Sequence, residues 1–396
     1  MNYDFMKSFD IKNKTVLYNH TNGTSVEINK KVFEMIKGCD TKESILELAK
    51  MKSDSDRKFL ESLAETIDEK QLFADCSSDK INEITYIITD NCNLCCKHCC
   101  MSAKPYKRER DGEVTVRRDI LEKILTYDPI MIVLTGGEPL IASNILESLV
   151  WLRQNFNNTI VLSTNSLLIN ESNVKIIAET TDIIDISLDG VTAEKSDFIR
   201  GKGTFDKVMN VIQMLNSAGA KRIRLSNALS PEELDDVENY SKLCNELGVE
   251  ALVRDLCPTG RALENHLSCR DPLSHFLNSV NFNPNLCGAG VSMISVDKNG
   301  DVFPCNNFSD DEFKMGNILN ENFNEDVKDY WKKVWFSNFS RYLSRYREEC
   351  RDCEVSQYCW TCPFDVKLIE DYKGIKNLTD ICTAKKKRIM KAFENE

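Results

Sequence analysis

Residues 89–100, TDNCNLCCKHCC, put five cysteines on one short stretch. Only one register through it gives Cys-x3-Cys-x2-Cys, and that register selects Cys92, Cys96 and Cys99. Three thiolates on a tight loop hold three irons of a [4Fe–4S] cube and leave the fourth open to a small chelating molecule. A structural zinc site normally wants four closed ligands, so three close thiolates fit zinc less well. Cys95 and Cys100 fall outside the register and read as spare thiols or packing residues.

The loop directly follows an apolar strand candidate, ITYIIT (84–89). Further strand candidates are IMIVL (130–134), TIVLS (159–163), IIDISL (183–188), RIRLS (222–226) and EALVRDL (250–256). Helical segments separate them. One carries Ile145, Leu149 and Leu152 on its inner face, and another Phe205, Val208, Val211, Ile212 and Leu215, ending near Gly219. Repeated strand-then-helix units imply a parallel sheet, open or closed into a partial barrel. In such barrels the chemistry sits at the carboxyl ends of the strands. The cysteine loop falls there, and so does TGGEP (135–139), where two glycines permit close backbone approach and Glu138 can face a cation.

Cys92, Cys96 and Cys99, with His98 at the customary aromatic position and Gly136-Gly137-Glu138-Pro139 downstream, resemble the radical S-adenosylmethionine (SAM) superfamily. STN (163–165), ISLDG (186–190) and IRGKGTF (199–205) extend the resemblance over roughly residues 84–260. It implies a partial (β/α)6 TIM-like barrel of α/β class, with an open iron binding the amino and carboxylate groups of SAM. Gly136, Gly137 and Glu138 would hold the methionyl amine. Ser187 and Arg200 would serve the carboxylate and ribose, with Asn165 and Asp189 nearby. The implied chemistry is reductive cleavage of SAM to a 5′-deoxyadenosyl radical that abstracts hydrogen from the substrate.

Past about residue 285 the periodicity fades and cysteines return. Cys287-x12-Gly300-x4-Cys305, then Cys350-x2-Cys353-x5-Cys359-x2-Cys362 and Cys382, resemble the SPASM extension with its two auxiliary [4Fe–4S] clusters. Three such clusters are then expected in the chain. The resemblance gives Cys350, Cys353, Cys359 and Cys382 to the distal cluster and Cys287, Cys305 and Cys362 to the nearer one. That second set has only three thiolates, so either its fourth iron is open or an upstream cysteine such as Cys257 or Cys269 completes it. The usual spacing before the last cysteine of the middle block is three residues; here it is two, Trp360 and Thr361. Cys244 shares a helical apolar stripe with Leu234, Val237 and Leu247 and reads as core.

At the amino end, TVLYN (15–19) and TSVEIN (24–29) read as strands around an Asn22-Gly23 hairpin signal. Asp40 with Glu43 suggests a capping box for a helix to about Lys50, and a second helix spans roughly 57–69. This stretch resembles the winged-helix-like (α+β) peptide-recognition element of peptide-maturation enzymes, which binds a leader peptide by strand addition. The expected division is 1–76 for leader recognition, 77–83 linker, 84–265 radical SAM core, 266–384 SPASM domain and 385–396 a solvated tail.

Over 396 residues the net charge is −11 and the apolar fraction 42%, which supports a sizeable core and argues against nucleic acid or an anionic membrane as partner. There is neither a membrane-length apolar run nor a signal-peptide pattern, so a cytoplasmic location is expected. Seventeen cysteines in a reducing compartment point to metal rather than disulfides. The expected function is a leader-guided maturase that joins a cysteine sulfur of a ribosomally made precursor peptide to carbon, with an electron donor such as ferredoxin or flavodoxin. A carbon–carbon or carbon–oxygen crosslinker is the alternative. A formylglycine-forming maturase is disfavoured because Asn306, not aspartate, follows Cys305.

Overall fold

The computed structural model describes residues 6–11, 14–19, 24–70, 72–73, 81–230, 236–278, 287–290, 292–321, 323, 350, 353, 355, 359, 362–374 and 379–394. They divide into two compact units. One gathers Met1–Asp79, Pro272–Gly288 and Phe339–Glu396; the other gathers Lys80–Asp271 and Ala289–Asn338.

In the first unit, β1 (Met6–Ile11), β2 (Lys14–Asn19) and β3 (Ser25–Asn29) form an antiparallel sheet in sequence order. Helices α1 (Lys30–Ile36), α2 (Lys42–Lys50) and α3 (Asp54–Glu69) follow. Leu17, Val26 and Ile28 of the sheet share one buried cluster with Ile45, Ala49, Leu60, Leu63 and Ile67 of the helices. The strand β1 and helix α1 were not anticipated. The cap of α2 is Thr41 paired with Ser44, not Asp40 with Glu43: the Thr41 hydroxyl accepts from Ser44 N, and Ser44 Oγ accepts from Thr41 N. The Asn22-Gly23 turn lies outside the described residues.

In the second unit, the parallel strands are β4 (Glu83–Ile87), β7 (Met131–Thr135), β8 (Thr159–Thr164), β9 (Ile183–Ser187), β10 (Ile223–Leu229) and β11 (Glu250–Asp255). A short pair, β5 (Asn91–Cys92) and β6 (Lys104–Pro105), sits in the loop after β4. Helices α5 (Arg118–Leu125), α6 (Ile145–Asn155), α7 (Val174–Thr180), α9 (Thr204–Ser217) and α10 (Val237–Leu247) follow successive strands. Two shorter helices, α4 (Arg108–Asp111) and α8 (Ala193–Arg200), lie in the connections. Strand alternation explains the layering. Ile84, Ile132 and Ile160 are successive register partners, as are Leu162, Ile184 and Ile223, and all belong to the core cluster shared with the helices. Each such buried side chain contributes roughly 1.5–3 kcal/mol. This is a partial (β/α)6 barrel.

The same sheet continues beyond β4 with β12 (Met293–Val296), β13 (Asp301–Phe303) and β14 (Gly316–Asn317). The compact unit therefore runs past the boundary expected at 265. The physical reason is the edge of β4, whose backbone groups β12 satisfies by parallel pairing. Four-residue α11 (Arg261–Glu264) comes between β11 and that extension.

The first unit closes with α12 (Pro272–Asn278), α13 (Pro363–Lys373) and α14 (Thr379–Glu394). The basic run expected as a solvated tail is thus the second half of α14, and both Lys385 and Ile389 are fully buried in it. Among the described residues no helix is long and apolar enough to cross a membrane.

On the face opposite the isoleucine layer, Asp185 of β9 and Arg224 of β10 are register partners. Asp185 is buried and accepts from Arg224 Nε at 2.5 Å and Nη2 at 2.7 Å. Removing the arginine would strand a buried carboxylate, at about 3–5 kcal/mol. Arg224→Ala should therefore lower the denaturant midpoint of the purified protein sharply, and adding Asp185→Asn should recover part of the loss.

Candidate active site

All six barrel strands contribute to one cavity of about 460 Å³, through their carboxyl ends or the segments that follow them. Its wall includes Cys92, Cys96, Cys99, Gly136, Gly137, Asn165, Ser187 and Arg200, together with His98. The structure thus brings together all but two of the residues expected to hold the catalytic cluster and SAM, the exceptions being Glu138 and Asp189, which do not line this wall.

The two glycines act between loops. Gly137 N donates to Thr89 O at 2.7 Å, and Glu138 N donates to Asn91 O at 2.9 Å, so the TGGEP turn is laced to the start of the cysteine loop. A Cβ on Gly137 would stand 2.1 Å from Asn91 O, and one on Gly136 2.5 Å from Thr89 O. Gly136 also has φ 146°, a region that L side chains rarely adopt.

Glu138 is fully buried and its carboxylate faces inward. Oε1 accepts from Thr164 Oγ1 at 2.7 Å and Leu140 N at 3.0 Å, and Oε2 accepts from Asn165 N at 2.8 Å. Burial pushes its pKa up to about 6 despite these donors. Its role in this geometry is to pin the ends of β7 and β8 together. Asn165 in turn donates Nδ2 to Asn93 Oδ1 at 2.7 Å and approaches Cys92 Sγ at 3.6 Å.

Asp189 lies just past β9 and is buried. Its Oδ2 is 2.6 Å from Arg200 Nε and 2.9 Å from His98 Nε2, while Oδ1 accepts from Ala228 N at 2.9 Å. Burial alone would raise its pKa, but the charges of Arg200 and His98 outweigh it and hold the carboxyl well below the usual range. Arg200 is the last residue of α8, and its Nη1 comes within 4.0 Å of Cys96 Sγ. The turn that follows is organised by Asp197, which accepts from Gly203 N, Thr204 Oγ1 and Phe205 N. That is why IRGKGTF carries polar and glycine residues at these places.

The cysteine loop has a clamp that sequence reasoning missed. Arg261, at the start of α11, donates Nε to Cys96 O at 2.8 Å and Nη1 to Ala103 O at 2.7 Å. Its own N–H donates to Cys99 O at 3.0 Å. The preceding Gly260 has positive φ, and a Cβ there would meet Cys100 O at 2.4 Å. Gly260-Arg261 just past β11 was the available signal. Of the remaining thiols, Cys95 is exposed, Cys244 is buried in the core, and Cys100 and Cys257 line the cavity.

The donor set fits an iron–sulfur cluster with a zwitterionic partner. Three thiols share the cavity wall with a guanidinium, a hydroxyl and glycine backbone, and His98 Nδ1 is buried with no hydrogen-bond partner among the described residues. Burial pushes the Cys92 thiol up to about 12 and moves Cys96 in the same direction. Metal loading at this site must therefore displace protons. In the first unit, Cys359 has Cys350, Cys382 and Cys353 as electrostatic neighbours, and burial pushes its thiol up to about 12. Cys287 and Cys362 also belong to that unit, whereas Cys305 is counted with the barrel.

A barrel with three thiols and a buried Asp–Arg–His group at its strand ends is built for metallocofactor chemistry. Comparison with known proteins agrees. The radical SAM superfamily profile matches residues 86–244, and that of SPASM, an iron–sulfur cluster-binding domain, matches 287–354. Mycofactocin maturase MftC of Mycolicibacterium smegmatis is 27% identical over 266 residues, covering 60% of this chain and 67% of that protein. The antilisterial bacteriocin subtilosin biosynthesis protein AlbA of Bacillus subtilis is 25% identical, covering 70% and 66%. Streptococcus suis SuiB bound to S-adenosylmethionine superposes with a TM-score of 0.55 at 14% identity, over 93% of this chain and 96% of SuiB, which shows a shared fold. The chain belongs to the radical SAM enzymes that carry a SPASM domain.

Asp189→Asn removes the charge that holds Arg200 while keeping the shape. The expected outcome is SAM binding at least about tenfold weaker, equivalent to 1.4 kcal/mol, by equilibrium dialysis at unchanged iron content. Wild-type affinity in this variant would show that Asp189 does not position the SAM site.

Proposed function

We propose that the chain is a leader-guided maturase that forms thioether crosslinks in a cysteine-containing, ribosomally made precursor peptide. The observation that carries the catalytic part is the convergence of Cys92, Cys96, Cys99, Gly136, Gly137, Ser187 and Arg200 on one cavity. When bound, the cluster and SAM supply reductive cleavage and a 5′-deoxyadenosyl radical that removes a substrate hydrogen. The chain's own residues do the rest. Cys92, Cys96 and Cys99 are the cluster ligands, Gly136 and Gly137 present backbone to the methionyl amine, and Ser187 and Arg200 serve the carboxylate and ribose. Glu138 and Asp189 act from behind, by holding the two loops and Arg200 in place.

Substrate class is argued from three supports. Two relatives are a maturase and a bacteriocin biosynthesis protein by name. SuiB, which shares the fold, has been crystallised with precursor peptide SuiA. The amino-terminal sheet offers strand edges at β1 and β3, the geometry that strand addition of a leader requires. Two auxiliary clusters are assigned on the sequence pattern, Cys350, Cys353, Cys359 and Cys382 for one and Cys287, Cys305 and Cys362 for the other. A set with only three thiolates leaves an iron able to take a substrate sulfur, which favours thioether over carbon–carbon or carbon–oxygen products. Asn306 lines the barrel cavity and has no carboxylate to take a proton, which speaks against formylglycine formation. Ferredoxin or flavodoxin would deliver the electron.

The peptide encoded beside this chain, co-expressed with it anaerobically and alkylated afterwards, should lose the mass of a hydrogen pair per crosslink together with one alkylatable thiol. Mass loss with every thiol still alkylated would move the reading to a carbon–carbon or carbon–oxygen bond. Replacing Cys92, Cys96 and Cys99 together by Ala should abolish SAM cleavage and leave the auxiliary iron; surviving cleavage would break the assignment of the catalytic cluster.

A further inference from the structure

A loop folded tightly enough to gather three metal ligands must still pair its own carbonyls. In the cysteine loop they go to the segment just past β11. Arg261 donates Nε to Cys96 O at 2.8 Å, Nη1 to Ala103 O at 2.7 Å and its own N–H to Cys99 O at 3.0 Å. Asn265, which ends α11, adds a neutral donor, Nδ2 to Lys97 O at 2.9 Å. On its other side the loop turns amides toward its sulfurs. Leu94 N donates to Cys92 Sγ and Ala103 N to Cys99 Sγ, both at 3.4 Å.

Arg261 differs from the other guanidiniums on the cavity wall in how its charge is balanced. Arg200 is matched by Asp189 at 2.6 Å and Arg270 by Asp255 at 3.0 Å. Arg254 is exposed. Arg261 is partly buried, its side-chain hydrogen bonds end on loop carbonyls, and no described carboxylate forms an ion pair with it. Burial raises the Cys96 thiol, and the charges of Arg200 and Arg261 pull the other way, toward thiolate. A cation held by the ligand loop itself, and not cancelled by an acid, thus stands beside the thiols.

We propose that Arg261 sets the reduction potential of the catalytic cluster held by Cys92, Cys96 and Cys99. The inference rests on that cluster assignment. Accepting one electron from an external one-electron donor makes a thiolate-ligated cluster more negative by one charge. A fixed cation beside the ligand loop favours the more negative state, as do N–H donors on the ligand sulfurs. The amides of Leu94 and Ala103 belong to the loop; what Arg261 adds is charge, fixed in place by the carbonyls it holds. It therefore eases the one-electron reduction that must precede SAM cleavage. Its contacts are with the ligand loop and not with a reacting atom, so its part is that of a positioning residue.

The test is a redox titration followed by electron paramagnetic resonance on the iron-loaded full chain, reading the signal that is lost when Cys92, Cys96 and Cys99 are replaced by Ala. Arg261→Met removes the charge, Arg261→Gln removes it but keeps a donor, and Arg261→Lys keeps the charge. Asn265→Ala removes a neutral clamp from the same loop. The expected midpoint is lower by about 59 mV in both neutral variants, a tenfold change in a one-electron equilibrium, at unchanged iron content. It stays near wild type in Arg261→Lys and in Asn265→Ala. Unshifted midpoints in both neutral variants overturn the proposal. So does an equal fall in Arg261→Lys or Asn265→Ala, because charge would then not be the cause. Loss of the catalytic iron from both neutral variants overturns it too, since the arginine would be holding the site together rather than tuning it. Absence of that signal from the unsubstituted protein would remove the cluster assignment and the inference with it, a failure distinct from the others.

Discussion

The candidate active site depends on one buried carboxylate. Asp189 receives Arg200 and His98 on one oxygen and the Ala228 amide on the other, and so ties α8, the cysteine loop and β10 to the end of β9. A charge buried this deeply is costly unless it is paired. Here the partners are two residues that line the same cavity as the thiols. Tyr240 completes the arrangement from behind by donating to Leu188 O at 3.1 Å, next to the carboxylate. The guanidinium near Cys96 is consequently fixed before any ligand arrives, which is what pre-organisation of a charged cofactor needs.

A second constraint is steric. The turn after β7 and the loop after β4 approach so closely that only glycine fits at 136 and 137. The Gly-Gly-Glu sequence is therefore explained as much by loop-to-loop packing as by ligand contact. Arg261 closes the other side of the cysteine loop by taking two of its carbonyls. Between these supports the loop that carries the three cysteines is held by backbone contacts on both sides.

Much of this was legible in the sequence for physical reasons. All six parallel strands are apolar runs bounded by helical periodicity, and the ends of each lie within three residues of their expected places. Cys92, Cys96, Cys99, Gly136, Gly137, Ser187 and Arg200, singled out by motif, stand together on one cavity wall. What was not legible has equally definite causes. The strands β12 to β14 are four residues long or shorter, below any periodic window, and exist because β4 has an edge to pair. The partners of Arg261 are carbonyls, which leave no mark on residue identity. Thr41 outcompetes Asp40 as a cap because Ser44, not Glu43, stands three residues on. Lys385 looked solvated because it lies in AKKKR, while its burial is decided by Phe276, more than a hundred residues away.

The most direct test of the central claim, that Cys92, Cys96 and Cys99 hold a cluster with an iron open to SAM, is electron paramagnetic resonance of the reduced, iron-loaded protein before and after SAM is added. The account predicts that the signal lost on replacing those three cysteines is the one whose line shape changes with SAM. A spectrum that SAM leaves unchanged, or a change that persists without those cysteines, would contradict it.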